Sequence, residues 1–329
     1  MKTVLSTCPY VPPEWVAAHD LRLRRFRPGD ARSAAGLAGG AGVCPYARDV
    51  LRAMEAASVT EDTAGVVITT VCDQMRRAAG LLPGTDSRPV LLMNVPTTWQ
   101  TPAGQQIYVS ELRRLGRFLV SLGGRAPDDR RLADTMVAYD QARFALKECR
   151  RRCSGSRFSR LLAEFDEQGP GVSFSPSASG PADAVKLALV GGPLWAEDAE
   201  LFEIIESLGG NVVLDATTSG ELVMPDAYDR SHLADRPLEE MARVYGRIPD
   251  AFRRPNRALF EWLGRELAAR GVQGIVFRTC LWCDTWVAEL VRIREGFGLP
   301  VLHLDVDGAT PGCRTRISGR LQAFMEVLR

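Results

Sequence analysis

Short, nearly unbroken apolar runs rich in Val, Ile and Leu recur along the chain, and most give way to segments with apolar residues at helical spacing. These runs predict strands at Val66–Val71, Val90–Asn94, Val185–Val190, Asn211–Asp215, Gly274–Arg278 and Pro300–Asp305. A strand that is apolar on both faces needs cover on both faces. Alternation with helices supplies it through parallel crossovers, so the pattern predicts the α/β class. Between the two sets of strands, Tyr108–Leu122 and Arg131–Arg152 show helical periodicity, separated by Gly123, Gly124 and Pro127. After Cys153 the composition shifts to Ser, Gly and Pro as far as Pro181, and only Phe158–Phe165 reads as helix there. The expected organisation is an α/β lobe with a helical extension over residues 1–153, a linker over 154–182, and a second α/β lobe over 183–329. Cys-Pro-Tyr occurs at 8–10 and again at 44–46, too short a match to indicate duplication.

Composition narrows the function classes. The 329 residues carry a net charge of +1 with 25% charged positions, so no bulk field points to nucleic acid. Lysine occurs only at positions 2, 147 and 186, which marks the abundant Arg as a compositional habit rather than a binding surface. No apolar stretch of about 18 residues predicts a membrane span. The opening MKTVLSTCPYVPPEW lacks the apolar core of a signal peptide, so a cytoplasmic location is expected. In that setting eight cysteines point to metal or redox chemistry rather than a disulfide framework. His19, His232 and His303 form no metal-binding spacing, and His303 sits in an apolar strand as a hydrogen-bonded core residue. No GxSxG or P-loop pattern is present, and Gly191-Gly192-Pro193 lacks the third glycine of a dinucleotide fingerprint.

Cys44, Cys72 and Cys280 each stand where a loop or strand passes into a helix. Helix N-termini carry unpaired N–H groups and partial positive charge, which favour a thiolate. Three such thiolates from distant parts of one chain suggest a shared soft metal centre. The alternative for each is a small buried hydrophobe. Cys283 forms a CxxC with Cys280, a pattern shared by zinc half-sites, redox pairs and cluster ligands; Cys149 and Cys153 would supply a second pair for zinc. Cys313 reads as a loop cysteine before an Arg-rich helix. Cys8 lies before any predicted element and reads as structural or incidental.

In order along the chain stand Pro13-Glu14, CPYARDVL, VITTVCDQMRR, YVSELRRLGRFL, LADTMVAYDQARFAL, LALVGGPL, IIESLGGNVVLD, FRTCLWCDTW and, after GLPVLHLDVDG, TRISGRLQAFMEVL. This series resembles the 2-hydroxyacyl-CoA dehydratase D-component / benzoyl-CoA reductase subunit family over nearly the whole length. The resemblance implies two Rossmann/flavodoxin-like parallel-sheet lobes, a helical connecting region, and a [4Fe-4S] cluster in the cleft. Its three cysteine ligands map to Cys44, Cys72 and either Cys280 or Cys283. Cys280 is preferred because it directly follows its strand, although Cys283-Asp284 echoes Cys72-Asp73. The resemblance further implies radical chemistry on an acyl-CoA thioester, a related sister subunit or a second copy of the chain, and a separate ATP-hydrolysing activator. Arg48, Arg76 and Arg77, a turn or more beyond their cysteines, are the nearest candidates for contacts to CoA phosphates. The surplus of cysteines also fits the branch with a double-cubane [8Fe-9S] cluster that reduces small molecules. A non-catalytic electron-relay subunit is a third possibility.

Overall fold

A computed structural model describes residues 1–29, 42–55, 62–82, 88–174, 183–306 and 313–329. Its strands fall into two all-parallel sheets. In the first, β1 (Thr3–Ser6), β2 (Arg22–Arg25), β3 (Thr63–Thr69) and β4 (Val90–Met93) lie in the order β2-β1-β3-β4. In the second, β5 (Val185–Gly191), β6 (Gly210–Thr217), β7 (Gly274–Cys280) and β8 (Val301–Val306) repeat that arrangement as β6-β5-β7-β8. The predicted α/β class is therefore observed, and all six predicted strands appear. Two strands, β1 and β2, were not expected. Each has four residues, and Arg22-Leu23-Arg24-Arg25 carries one apolar side chain, too few for periodicity to register.

Strand order fixes where a ligand can sit. In each sheet the chain runs outward on one side of the first strand, then crosses to its other side. The crevice between these two strands, at their carboxyl ends, is where open parallel sheets bind ligands. The crevices are β1/β3 in one sheet and β5/β7 in the other.

Helices α1 (Pro13–Ala18), α2 (Pro45–Glu55) and α3 (Asp73–Leu81) belong to the first sheet. Then come α4 (Pro102–Ser121), α5 (Asp129–Arg150) and α6 (Gly155–Gln168). Each of these three starts on a side-chain cap: Thr101, Asp128 and Ser154 accept from the backbone N–H of Gly104, Arg131 and Arg157. The segment expected as linker thus begins as a helix. Phe158, Leu161, Leu162 and Phe165 bury one face of α6, which touches β2, β6 and the following α7 (Ala199–Ser207). Residues 175–182 of that expected linker lie outside the described residues. The remaining helices are α8 (Arg230–Asp235), α9 (Pro237–Gly246), α10 (Arg257–Ala269), α11 (Asp284–Val287), α12 (Leu290–Gly296) and α13 (Cys313–Leu328).

One apolar cluster runs through both sheets, from Val4, Val67 and Met93 to Val190, Ala216 and Phe277. A buried polar knot reinforces this union. Glu14 of α1 is 0% exposed and accepts from Arg143 of α5, from the Tyr228 hydroxyl and, at 2.9 Å, from the Tyr245 hydroxyl of α9. Arg143 also faces Asp140 at 3.4 Å, and Asp140 accepts from the Tyr228 backbone N–H at 3.0 Å.

Candidate metal centre

The carboxyl ends of both sheets open onto one cavity of about 160 Å³, and five cysteines line it: Cys8, Cys44, Cys72, Cys280 and Cys283. Cys72 is the N-cap of α3, with extended backbone, directly beyond β3. Cys44 precedes Pro45, the first residue of α2, and its Sγ receives the Ala47 N–H at 3.4 Å. Gln74 Oε1 accepts the Cys44 backbone N–H at 2.8 Å, tying the Cys44 loop to the first turn of α3.

Cys8 lies beyond a strand that the sequence did not mark. It follows β1 by two residues, so it stands at the carboxyl end of a strand like the others, and its Sγ accepts the Thr69 hydroxyl at 2.8 Å. The strand was too short to see, and without it Cys8 looked like tail.

The CxxC is folded into a tight turn, and Cys283 is the N-cap of the four-residue α11. The Cys283 N–H donates to the Cys280 carbonyl at 2.9 Å, and Trp282 has φ +64°. An i to i+3 bond with positive φ at i+2 alone defines a type II β-turn, which places its end residues within 7 Å. Both thiols therefore reach the cavity. Trp282 occupies the position that normally takes Gly or Asn, and the left-handed conformation costs a bulky residue roughly 1–2 kcal/mol. Close packing requires the glycine at 191: a Cβ there, at φ +150°, would lie 1.9 Å from the Arg278 carbonyl oxygen, while one on Gly192 would lie 3.3 Å from Trp286.

Burial dominates the thiol electrostatics. It pushes Cys72 up despite N–H donors from Met75 and Gln74, and pushes Cys283 up to about 12. Helix N-termini alone do not make these residues thiolates, as the sequence argument held, because desolvation outweighs the donors. Cys44 is the exception: a hydrogen bond from the Cys280 thiol draws it down and drives Cys280 up, so the pair shares a proton. Behind Cys44, the Trp195 indole N–H donates to Asp49 of α2 at 3.0 Å, and Arg278 covers the Trp195 ring at 4.8 Å while pairing with Asp198 at 2.5 Å.

Asp250 is a further wall residue that the sequence did not mark. Burial pushes its carboxyl from 3.8 up to about 6, against N–H donors from Phe252 and Ala251, the Arg253 charge and the Tyr10 hydroxyl. A negatively charged occupant of the cavity would push it the same way. The folded state therefore holds this proton more tightly than the unfolded chain. Its contribution is intact below about pH 4 and is lost as pH rises through about 6, a swing of roughly 3 kcal/mol. Asp250→Asn should raise the urea midpoint above wild type at about pH 7.5, and the two curves should converge toward about pH 4. A variant less stable than wild type at about pH 7.5 would mean that the ionised carboxylate is a favourable partner.

Other candidates lie elsewhere. Cys149 and Cys153 face each other at 3.2 Å in a separate buried cluster with Tyr139 and Phe158, so they do not join the CxxC in a zinc site. Cys313 opens α13, and its side chain lies outside the described residues. Arg48, Arg76 and Arg77 are not among the cavity-lining residues. Arg48 faces Asp49 at 3.4 Å, Arg76 pairs with Asp73 at 2.9 Å, and the Arg77 guanidinium lies over Gly42. His303 shares a hydrogen bond at 2.8 Å with the Thr279 hydroxyl, as expected, but it is half-buried on β8 rather than in the core. Among the described residues no helix is long and apolar enough to cross a membrane.

Among the described residues, no three His, Cys, Asp or Glu side chains stand in the arrangement of a single-ion site. Ligands of one zinc ion converge to about 2.3 Å from a common point. A four-iron cubane bonds each thiolate to a different iron, so its ligands stand further apart around a larger volume. Five thiols, beside the carboxyls of Asp73, Asp250 and Asp284, line the cavity, a sulfur-rich donor set that suits the second case.

No curated protein sequence matches the chain. Solved structures that overlap it include the Mn-bound periplasmic metal binding protein from Candidatus Liberibacter asiaticus, at 9% identity, 100% coverage of both chains and a TM-score of 0.27. The SBP FpvC from Pseudomonas aeruginosa in complex with Mn2+ overlaps at 12% identity, covering 100% of this chain and 98% of that one, with a TM-score of 0.25. Overlap this loose supports no inference. The sequence profile described as 2-hydroxyglutaryl-CoA dehydratase, D-component, by contrast, matches residues 8–328, from the first cavity cysteine to the end of α13. The chain belongs to the 2-hydroxyglutaryl-CoA dehydratase D-component family.

Proposed function

We propose that this dehydratase-like component holds a [4Fe-4S] cluster in the five-cysteine cavity and works on an acyl-CoA thioester, as a 2-hydroxyacyl-CoA dehydratase or acyl-CoA reductase subunit. The observation that carries the reading is the meeting of thiols from both halves of the chain at the two strand-order crevices. Cys44 and Cys72 would be ligands. For the third, Cys280, the last residue of β7, is favoured by its place at the strand end, with Cys283, the N-cap of α11, as the alternative. When bound, such a cluster supplies an open Lewis-acidic iron and one-electron transfer.

The chain's own residues do the rest. Cavity walls from both sheets exclude water, and Trp195 and Asp49 brace the Cys44 helix. Loading must displace the protons that burial holds on Cys72 and Cys283, so uptake should release protons and weaken at low pH. A related subunit or second copy, and an ATP-hydrolysing activator, would complete the enzyme in the cytoplasm. A larger [8Fe-9S] cluster is a second reading, favoured by the fifth thiol, Cys8. Anaerobic purification followed by iron and acid-labile sulfide analysis tests both: about four iron atoms per chain fits the cubane and about eight the larger cluster. Stoichiometric zinc without iron would defeat both.

A further inference from the structure

Trp282 stands at the apex of the Cys280–Cys283 turn, in left-handed backbone that suits glycine. Such backbone outliers persist where the surroundings hold them, and they concentrate at ligand clamps and active sites. Core packing does not account for this one. The side chain is 57% exposed and takes no part in the hydrophobic clusters of the described residues. The neighbouring Trp286 shows the contrast: it is 2% exposed and packs 6.3 Å from Phe277. Yet Trp282 lines the cavity, beside Cys283 and Asp284. A strained, solvent-facing indole on the wall of a thiol-lined cavity has its broad apolar face available to whatever enters.

We propose that Trp282 is a ligand-contact residue forming the outer wall of the cavity, where its indole lies against the acyl portion of an entering thioester. The thioester part rests on the function proposed above. An indole gains contact area and ring stacking from a planar acyl group and little from a two-carbon one. The turn keeps tryptophan because the contact outweighs the backbone cost, so relieving the strain should separate stability from binding.

The test uses the full chain as W282F and W282G. Binding of phenylacetyl-CoA and acetyl-CoA is measured by calorimetry on anaerobically purified protein. Labelling of Cys8, Cys72 and Cys283 by iodoacetamide is followed by mass spectrometry after a chelator has removed bound metal. W282G should melt at or above the wild-type temperature. It should bind phenylacetyl-CoA about tenfold more weakly, with acetyl-CoA and W282F changed less than about threefold. Its cavity cysteines should label several-fold faster. A lower melting temperature with unchanged binding and labelling would make the indole part of the turn's own structure and overturn the proposal. If neither thioester binds wild type, the thioester reading falls and labelling decides: faster labelling in W282G keeps the wall, and an unchanged rate removes it. Loss of a protein partner in W282G with both small-molecule readouts unchanged would assign the residue to docking and overturn the proposal as well.

Discussion

Arg143→Met is expected to destabilise the chain by roughly 3–5 kcal/mol, seen as a large fall in the urea midpoint or as insoluble protein, because it leaves a buried carboxylate without its cation. Arg143 is 4% exposed and Glu14 wholly buried, so water cannot replace the missing partner. Two tyrosine hydroxyls would still reach Glu14, and they would hold it only as a neutral acid or at a cost. The site joins α1 to α5 and α9, so the loss should loosen the contact between the N-terminal elements and the second half of the chain. Glu14→Gln combined with Arg143→Met removes this pair's charges and keeps an acceptor for the two tyrosine hydroxyls, while Asp140 retains Arg230, so it should recover part of the stability. A single Arg143→Met variant as stable as wild type would show that the knot is solvated in solution.

Cys44→Ala and Cys72→Ala should each abolish iron binding and activity. Loss of an outer partner alone typically weakens metal affinity by about 10–100-fold, and removing a ligand exceeds that. Cys8→Ala should keep a four-iron cluster, since Thr69 already engages that sulfur. Separate Cys280→Ser and Cys283→Ser variants decide the third ligand: iron loss in Cys280→Ser alone supports the strand-end assignment. Loss only in Cys283→Ser would move the ligand to the N-cap of α11, and loss in Cys8→Ala as well would favour the larger cluster. Full iron content and an unchanged spectrum in Cys72→Ala would defeat the ligand set.

The parts of this structure that could be read from sequence were those written in long patterns. Val66–Thr69 of β3 and Leu187–Val190 of β5 are buried on both faces in a parallel sheet, and such strands need continuous apolar runs. β1 and β2 have four residues each and draw their pairing from β3 and from each other, so propensity carried little signal. Missing them hid the shared strand order of the two sheets and, with it, the placement of Cys8. Cys44, Cys72, Cys280 and Cys283 were legible because each sits beside an element boundary that pattern can find. Asp250 and Trp282 were not. Asp250 lies between α9 and α10 and reaches the cavity only through tertiary packing, while the turn at Trp282 contradicts its own sequence preference.

The cavity has a consequence for biosynthesis. Its walls come from Cys8 and Cys44 near the start of the chain and from Cys280 and Cys283 near the end, so no nascent fragment encloses it. A ribosome-bound chain shorter than Cys283 leaves the first sheet's thiols uncovered, and domains fold N-terminal first during synthesis. Loading of the proposed cluster would then follow translation, on a chain whose halves have already docked, or rely on a carrier that shields Cys8, Cys44 and Cys72 until the second half arrives. Slow translation between residues 153 and 283 would lengthen that exposed interval and lower the yield of loaded protein in air more than under anaerobic growth.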